Sequence, residues 1–357
     1  MKKFDYMQKF GFEQLIYFFD QDTGLKAITC IHDTTLGPAL GGTRIWDYAT
    51  EDEAVLDVLR LAKGMTYKNS AAGLNFGGGK TVIIGKADEI KSESFFRAYG
   101  RYIESLNGRY ITTEDVNMTM KDMEYINMET NYVVGLASKS GNPSPITALG
   151  AYHGIRAGLM YKFGTDDVSK YSYAVQGVGQ TGGNLVDYLT KAKAKNIYYT
   201  DINPDNIEKI KANYKDAIFV KPEEIYSLDV DVFVPCAMGA ILDDETIPTL
   251  KAKVIAGTAN NILKDIKKHG KMLMDRDIVY APDFVINAGG VINVAPSEHD
   301  YNKAKVIKDV EKIYDRLLDI FKISTEQNIP TQEAAKFFAR DRIAKIHNLH
   351  RIYLGKK

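Results

Sequence analysis

Apolar residues along this chain fall into short runs whose period changes with position. Between residues 51 and 65, Val55, Val58, Leu59 and Ala62 recur at helical spacing, which predicts an amphipathic helix, and Thr50 with Glu53 predicts a capping box at its start. A second helix is expected over 92–106. Residues 25–32 and 81–85 read as strands, the latter placing Lys80 at a strand's start. A turn-rich segment, 138–145, then marks the expected domain junction. Beyond it come a helix near 147–159, a strand over 171–176, and helical spacing at Leu185, Tyr188 and Leu189. A strand over 196–200 and apolar runs at 218–220, 230–234, 253–256 and 278–280 follow. Strands alternating with helices predict a parallel, doubly wound sheet. The expected fold class is α/β in two domains, an α/β catalytic domain over 1–140 and a Rossmann-like doubly wound domain over 141–324, with a cleft between them. Helices are expected over 301–323 and 331–347, and segment 325–357 is expected to pack back on the first domain.

Two glycine-rich segments carry candidate chemistry. Lys68 and Lys80 lie twelve residues apart, with Gly77-Gly78-Gly79 immediately before the second. A backbone without side chains beside a lysine suits a small substrate that lies against the main chain within reach of an amine. Further on, Gly177-Val178-Gly179-Gln180-Thr181-Gly182-Gly183 fits the G-x-G-x-x-G fingerprint and falls between a predicted strand and a predicted helix. In such a loop the first glycine permits the turn, the second lets the backbone approach a pyrophosphate, and the third permits close helix packing. The next strand ends at Asp201, about 20 residues on, where a carboxylate accepts ribose hydroxyls and repels a 2′-phosphate. The expected cofactor is therefore NAD.

Composition narrows the partners. The 46 basic and 46 acidic residues of the 357 cancel, which argues against a nucleic-acid or membrane-surface role driven by bulk charge. No apolar run approaches the roughly 18 residues of a membrane span, and the first residues do not read as a signal peptide, so a cytoplasmic protein is expected. Cys30 and Cys236 are the two cysteines and make no disulfide framework. His32, His153, His269, His299, His347 and His350 have no ligand spacing, so no metal site is expected and they read as surface or packing residues.

A set of motifs in order carries a family resemblance. They are Gly37-Pro38-Ala39-Leu40-Gly41-Gly42-Thr43-Arg44, Lys63-Gly64-Met65-Thr66-Tyr67-Lys68, Gly77-Gly78-Gly79-Lys80, Thr113-Glu114-Asp115, Pro143-Ser144-Pro145-Ile146-Thr147-Ala148, Pro235-Cys236-Ala237, Ala259-Asn260-Asn261 and Ile286-Asn287-Ala288-Gly289-Gly290. Over nearly its whole length the chain resembles the amino acid dehydrogenases acting on glutamate, leucine, phenylalanine and valine, most closely the leucine-acting branch. The resemblance implies a reversible oxidative deamination in which an L-amino acid, water and NAD⁺ give a 2-oxo acid, ammonia and NADH. It puts Lys68 on the substrate α-carboxylate, makes Lys80 the general base for water, and has Asp115 carry protons to and from the departing amine. A plainer role for Asp115 is capping a helix that starts near Asn117.

Further positions follow from the same resemblance. Gly41, Gly42, Met65 and Asn261 match substrate-contact positions, and Thr147, Cys236, Ala237 and Asn287 match coenzyme positions. Leu40 stands where glutamate-specific relatives carry a lysine, and Val134, Val291 and Val294 match pocket positions, so branched aliphatic substrates (leucine, isoleucine, valine) are implied. Two residues depart from the pattern: Thr113, where leucine-acting members usually have alanine, and Gly182, where the family usually has alanine, a change expected to be harmless because both are small. Family members form large homo-oligomers, so an octamer or smaller assembly is implied. Three other readings stay open: a phenylalanine-acting member of the same family, a 2-hydroxy acid dehydrogenase, and a noncatalytic nucleotide or amino acid sensor.

Overall fold

The computed structural model describes residues 2–237, 239–296 and 301–349. His299, His350 and the part of segment 325–357 beyond 349 lie outside the described residues. Among the described residues the chain divides into two units. The first holds those up to Asn142, those within 294–301 and those from Ala339 on; the second holds 143–293 and 302–338. The first change of unit thus falls within the turn-rich segment 138–145.

The first unit is built on strands β1 (Gln14–Asp20), β2 (Leu25–Asp33), β3 (Ala39–Trp46), β4 (Gly77–Ile84) and β5 (Tyr110–Glu114), in the order β1-β2-β4-β3-β5. β2 runs antiparallel to β1 and β4, while β3 runs parallel to β4 and β5. Phe95, Phe96 and Tyr99 of helix Glu93–Ser105 and Met123 and Ile126 of helix Met120–Asn127 form one core with Ala27, Ile31, Ile45 and Ile83. Val55, Val58, Leu59 and Ala62 of helix Glu51–Ala71 form a second core with Ile28, Cys30 and Val82. Burying each of these large apolar side chains contributes on the order of 1.5 to 3 kcal/mol.

Several elements differ from expectation. Helix Glu51–Ala71 continues past residue 65, so Lys68 lies on it. Its capping box is half made: Thr50 accepts from the Glu53 N–H, but the Glu53 carboxylate turns to the Ala49 N–H. β4 begins at Gly77, so Lys80 is inside a strand instead of at its start. The glycines serve packing there. A Cβ on Gly78 would lie 2.1 Å from the Thr66 nitrogen, so helix Glu51–Ala71 can press on the strand only because that side chain is missing.

The second unit carries six strands, β6 (Ser172–Gln176), β7 (Asn196–Thr200), β8 (Ala217–Phe219), β9 (Val232–Pro235), β10 (Val254–Ile255) and β11 (Val279–Tyr280), in the order β11-β10-β9-β6-β7-β8. Every pairing is parallel. This is the doubly wound dinucleotide-binding order, and its strand order reverses between β6 and β9, where such sheets bind ligands. Ala174, Phe233, Ile255 and Tyr280 pack on Ile247, Leu250 and Leu273 in one core. Gly158 of helix Ser144–Phe163 lies against Val254, a contact with no space for a methyl group. The helix expected over 301–323 is two, Lys303–Glu311 and Ile313–Gln327, meeting at Lys312. Residues 325–338 belong to the second unit. From Ala339 on, helix Thr331–Leu349 belongs to the first, where the Ser70 hydroxyl donates to the Ala339 carbonyl at 2.8 Å and Arg342 donates to the Leu74 carbonyl at 2.7 Å.

Candidate active site

Period-2 alternation along neighbouring strands brings Gly42 and Arg44 of β3, Lys80 of β4 and Asp115, just after β5, together in the first unit. Lys80 is only 5% exposed, and its Nζ lies 2.9 Å from Oδ2 of Asp115. Arg44 Nε donates to the same oxygen at 2.9 Å. Gly42 makes the space, since a Cβ there would lie 2.8 Å from Cβ of Asp115 and 3.2 Å from Lys80 Nζ. Burial pushes the Asp115 carboxyl up, but the Lys80 and Arg44 charges outweigh it and hold the group at about 2. Asp115 caps no helix: the next one, Met120–Asn127, has a complete capping box of its own from Thr119 and Asp122. The sequence reading did not single out Arg44. Its Nη1 also reaches Asp57 Oδ2 at 3.2 Å, and the Tyr48 hydroxyl donates to that Asp57 oxygen at 2.6 Å. The available signal was the two-residue step from Gly42 to Arg44, which has meaning only once β3 is known to be a strand.

The other expected substrate residues of the first unit differ in burial and partners. Met65 and Lys68, on helix Glu51–Ala71, are half-buried. The Gly41 carbonyl accepts from the Tyr110 hydroxyl at 2.8 Å, and the Leu40 carbonyl accepts from Asn69 Nδ2 at 3.0 Å. Leu40 has no exposed surface. Thr113 and Val294 meet at Gly135: a Cβ on that glycine would lie 2.7 Å from Thr113 Oγ1 and 3.8 Å from Val294 Cγ1. Val134, next in sequence to Gly135, is half-buried. Val291 is buried in the second unit.

In the second unit the glycine loop joins β6 to helix Gln180–Lys191. Gly177 has φ +88°, and a Cβ there would meet Ala237 at 2.8 Å, so β6 and the segment after β9 are in contact at the switch point. Cys236 N–H donates to the Gln176 carbonyl at 2.7 Å, and Thr181 and Thr258 share a hydroxyl hydrogen bond of 2.9 Å. Gly182 was expected to be interchangeable with alanine. It is not, because a Cβ would lie 2.0 Å from the Gly177 carbonyl oxygen. Gly179 is the reverse case: nothing lies nearer to its would-be Cβ than Asn206 Nδ2 at 3.7 Å, so protein packing does not demand glycine there, whereas a closely approaching pyrophosphate would. Gly183 makes only a 3.2 Å approach to the Val178 carbonyl, and Gln180 opens the helix at the exposed end of the loop.

Asp201 follows β7, and its carboxylate accepts from the Val178 N–H at 2.7 Å, the Asn203 N–H at 2.8 Å and Asn206 Nδ2 at 3.2 Å. A carboxylate accepts about four hydrogen bonds, which leaves a place for a ribose hydroxyl. Asn287 is buried; its Nδ2 donates to Asn260 Oδ1 at 2.6 Å while its Oδ1 has no partner, an acceptor aimed at something the protein does not supply. Thr147 Oγ1 donates to the Pro143 carbonyl at 3.0 Å, and Asn261, with φ +52°, is pinned through its N–H to Asp283 at 2.7 Å. An open glycine, a carboxylate with spare capacity and an orphaned buried amide fit a nicotinamide dinucleotide.

The family model of the Glu/Leu/Phe/Val dehydrogenase dimerisation domain matches residues 13–132, and that of glutamate/leucine/phenylalanine/valine dehydrogenase matches residues 199–352. The chain belongs to this dehydrogenase family. It is 52% identical to leucine dehydrogenase of Thermoactinomyces intermedius, over 99% of this chain and 97% of that protein. It is also 52% identical to leucine dehydrogenase of Bacillus subtilis, over 97% and 95% of the two chains. The crystal structure of L-tryptophan dehydrogenase from Nostoc punctiforme superposes with a TM-score of 0.87 at 44% identity, covering 96% of this chain and 99% of that one. This protein is thus an amino acid dehydrogenase. Among its described residues no cluster of histidine, cysteine or carboxylate could hold a metal ion, and no helix is long and apolar enough to cross a membrane.

Proposed function

We propose that this dehydrogenase uses NAD⁺ and water to deaminate leucine, isoleucine and valine reversibly, giving the 2-oxo acid, ammonium, NADH and a proton. The Lys80–Asp115 pair carries the reading: it sets a buried amine on β4 and an ionised carboxylate just after β5 2.9 Å apart, as proton transfer at one carbon requires. The high identity to two leucine dehydrogenases supports the substrate class.

The steps follow from the residues. Lys68 binds the α-carboxylate and orients the α-carbon, and Asp115 takes a proton from the α-ammonium, freeing its lone pair. When bound, a nicotinamide dinucleotide would supply the acceptor for the hydride that leaves the α-carbon. Lys80 removes a proton from water as the water oxygen bonds to the resulting iminium carbon. The carbinolamine nitrogen is then protonated from the Lys80–Asp115 pair, and the hydroxyl gives its proton back to the pair as its oxygen becomes the carbonyl and the carbon–nitrogen bond breaks. Ammonia departs and takes up one of the two protons held there, and the other is released. Coenzyme recognition falls to Gly179 and helix Gln180–Lys191 for the pyrophosphate, Asp201 for the ribose, and Asn287 for the carboxamide.

Substrate choice is supported by two positions. Leu40 offers no cation to a distal carboxylate, and an unpaired buried charge costs several kcal/mol. The Thr113 hydroxyl and Val294 meet at Gly135, and this meeting is read as lining a small pocket suited to a branched aliphatic side chain more than to an aromatic one. A panel of 2-oxo acids with ammonia and either NADH or NADPH tests the reading. The acids of leucine, isoleucine and valine are expected ahead of that of phenylalanine, with the acid of glutamate inactive and NADH preferred. Glutamate as best product refutes the substrate argument, and equal use of NADPH refutes the coenzyme argument. The protein is proposed to be cytoplasmic and to form a homo-oligomer, an octamer or smaller. The match to a dimerisation domain and the exposed Tyr17 and Phe19 on edge strand β1 support assembly, and a monomer in light scattering would refute it.

A further inference from the structure

Two cations converge on one oxygen of the carboxylate that serves the reacting lysine. Lys80 Nζ and Arg44 Nε both lie 2.9 Å from Oδ2 of Asp115. Arg44 is itself anchored. Its Nη1 meets Asp57 Oδ2 at 3.2 Å on helix Glu51–Ala71, and Asp57 is held in turn by the Tyr48 hydroxyl at 2.6 Å. A guanidinium is planar with its N–H groups in a fixed fork, so fastening one edge to Asp57 sets the direction of the other. Without that clamp, rotation of the Asp115 carboxylate would present either oxygen to Lys80.

We propose that Arg44 is a positioning residue for proton transfer, pinning Oδ2 of Asp115 so that Oδ1 is left for the substrate amine. This rests on reading Lys80 and Asp115 as the proton-transfer pair. Arg44 touches Asp115, not the substrate, so its loss acts on turnover more than on binding. It has a second effect because the guanidinium stays charged at all working pH values. The charged and titratable groups around Asp115 are Lys80 from β4, Arg44 from β3 and, beyond Arg44, Asp57 and Tyr48; Glu114 adjoins it in sequence. With Arg44 removed, burial is opposed by Lys80 alone, Asp115 binds its proton more readily, and the acid limb of the rate profile moves to higher pH.

The test is steady-state leucine deamination across pH by the full chain carrying Arg44→Met, Arg44→Lys, Asp57→Asn or Asp115→Asn, and by the Arg44→Met/Asp115→Asn double variant. Arg44→Met is expected to lower kcat about tenfold or more, leave the leucine KM within about threefold, and raise the acid limb. Arg44→Lys should restore the limb while recovering only part of kcat, because an ammonium cannot hold both carboxylates in a fixed fork. The double variant should be no slower than Asp115→Asn alone, since Arg44 acts through Asp115. A normal kcat and acid limb in Arg44→Met beside an impaired Asp115→Asn would overturn the inference, as would losses that simply add in the double variant. If Arg44→Met does not fold, wild-type turnover in both Arg44→Lys and Asp57→Asn overturns it equally. Normal turnover by Asp115→Asn would instead refute the proton-transfer reading, and the role of Arg44 would fall with it.

Discussion

At the scale of single residues, the two lysines are proposed to do different work and should fail differently. Lys80 is buried in contact with Asp115, whereas Lys68 is half-buried on helix Glu51–Ala71. Lys80→Ala is expected to lower kcat by at least about a hundredfold, the usual scale of a general base, while Lys68→Ala should mainly raise the substrate KM. Steady-state kinetics with leucine decide between them, and near-normal turnover of Lys80→Ala would refute the base assignment. Both lysines and Asp115 could be singled out from motifs because their local sequences are distinctive. Arg44 could not, because its importance lies in sharing one carboxylate oxygen with Lys80, a relation between β3, β4 and the end of β5.

At the scale of elements, the glycine loop after β6 separates two reasons for having no side chain. Gly182 lacks one because the Gly177 carbonyl occupies the space, whereas at Gly179 packing makes no such demand and the proposed coenzyme pyrophosphate would. Gly182→Ala is therefore expected to lower the thermal midpoint and weaken NAD binding together, whereas Gly179→Ala should weaken NAD binding with the midpoint almost unchanged. Calorimetry of the coenzyme-free protein alongside coenzyme titration separates the cases, and an unshifted midpoint for Gly182→Ala would refute the packing argument. Strands with continuous apolar runs, such as β2, β7 and β9, were legible in the sequence. β3 and β4 were less so, because Gly41-Gly42 and Gly77-Gly78-Gly79 have poor intrinsic strand preference and are held in the sheet by pairing and by helix Glu51–Ala71.

At the scale of the whole molecule, buried ionisable groups make stability depend on pH in two acid windows. Burial holds His32 down to about 4, against a weaker opposing pull from the Phe10 carbonyl, and its Nδ1 hydrogen-bonds Thr66 Oγ1 at 2.8 Å. A depressed folded-state value means that the unfolded chain takes up the proton first. Stability from neutral His32 is therefore full above about 6.5 and is lost as pH falls to about 4, roughly 3 kcal/mol for a shift of that size. Asp115 follows the same sign lower down, its contribution being present above about 4 and lost as pH falls towards about 2. Denaturant unfolding between pH 8 and 4 should show His32→Gln with a shallower loss of stability than the unmodified protein, the residual slope coming in part from His153, which burial also holds low. Equal slopes would refute the assignment to His32.

The sequence by itself determined what depends on neighbours along the chain. Apolar periodicity set most helices and the parallel strands of the second unit, the glycine spacing with Asp201 set the coenzyme expectation, and motif order set the family. Tertiary structure alone decided which groups meet. The sharing of Asp115 by Lys80 and Arg44, the meeting of Thr113 and Val294 at Gly135 and the burial of His32 all join segments far apart in sequence. Each is fixed by strand order and helix approach, and no local pattern encodes a distance between residues that only the folded sheet brings together.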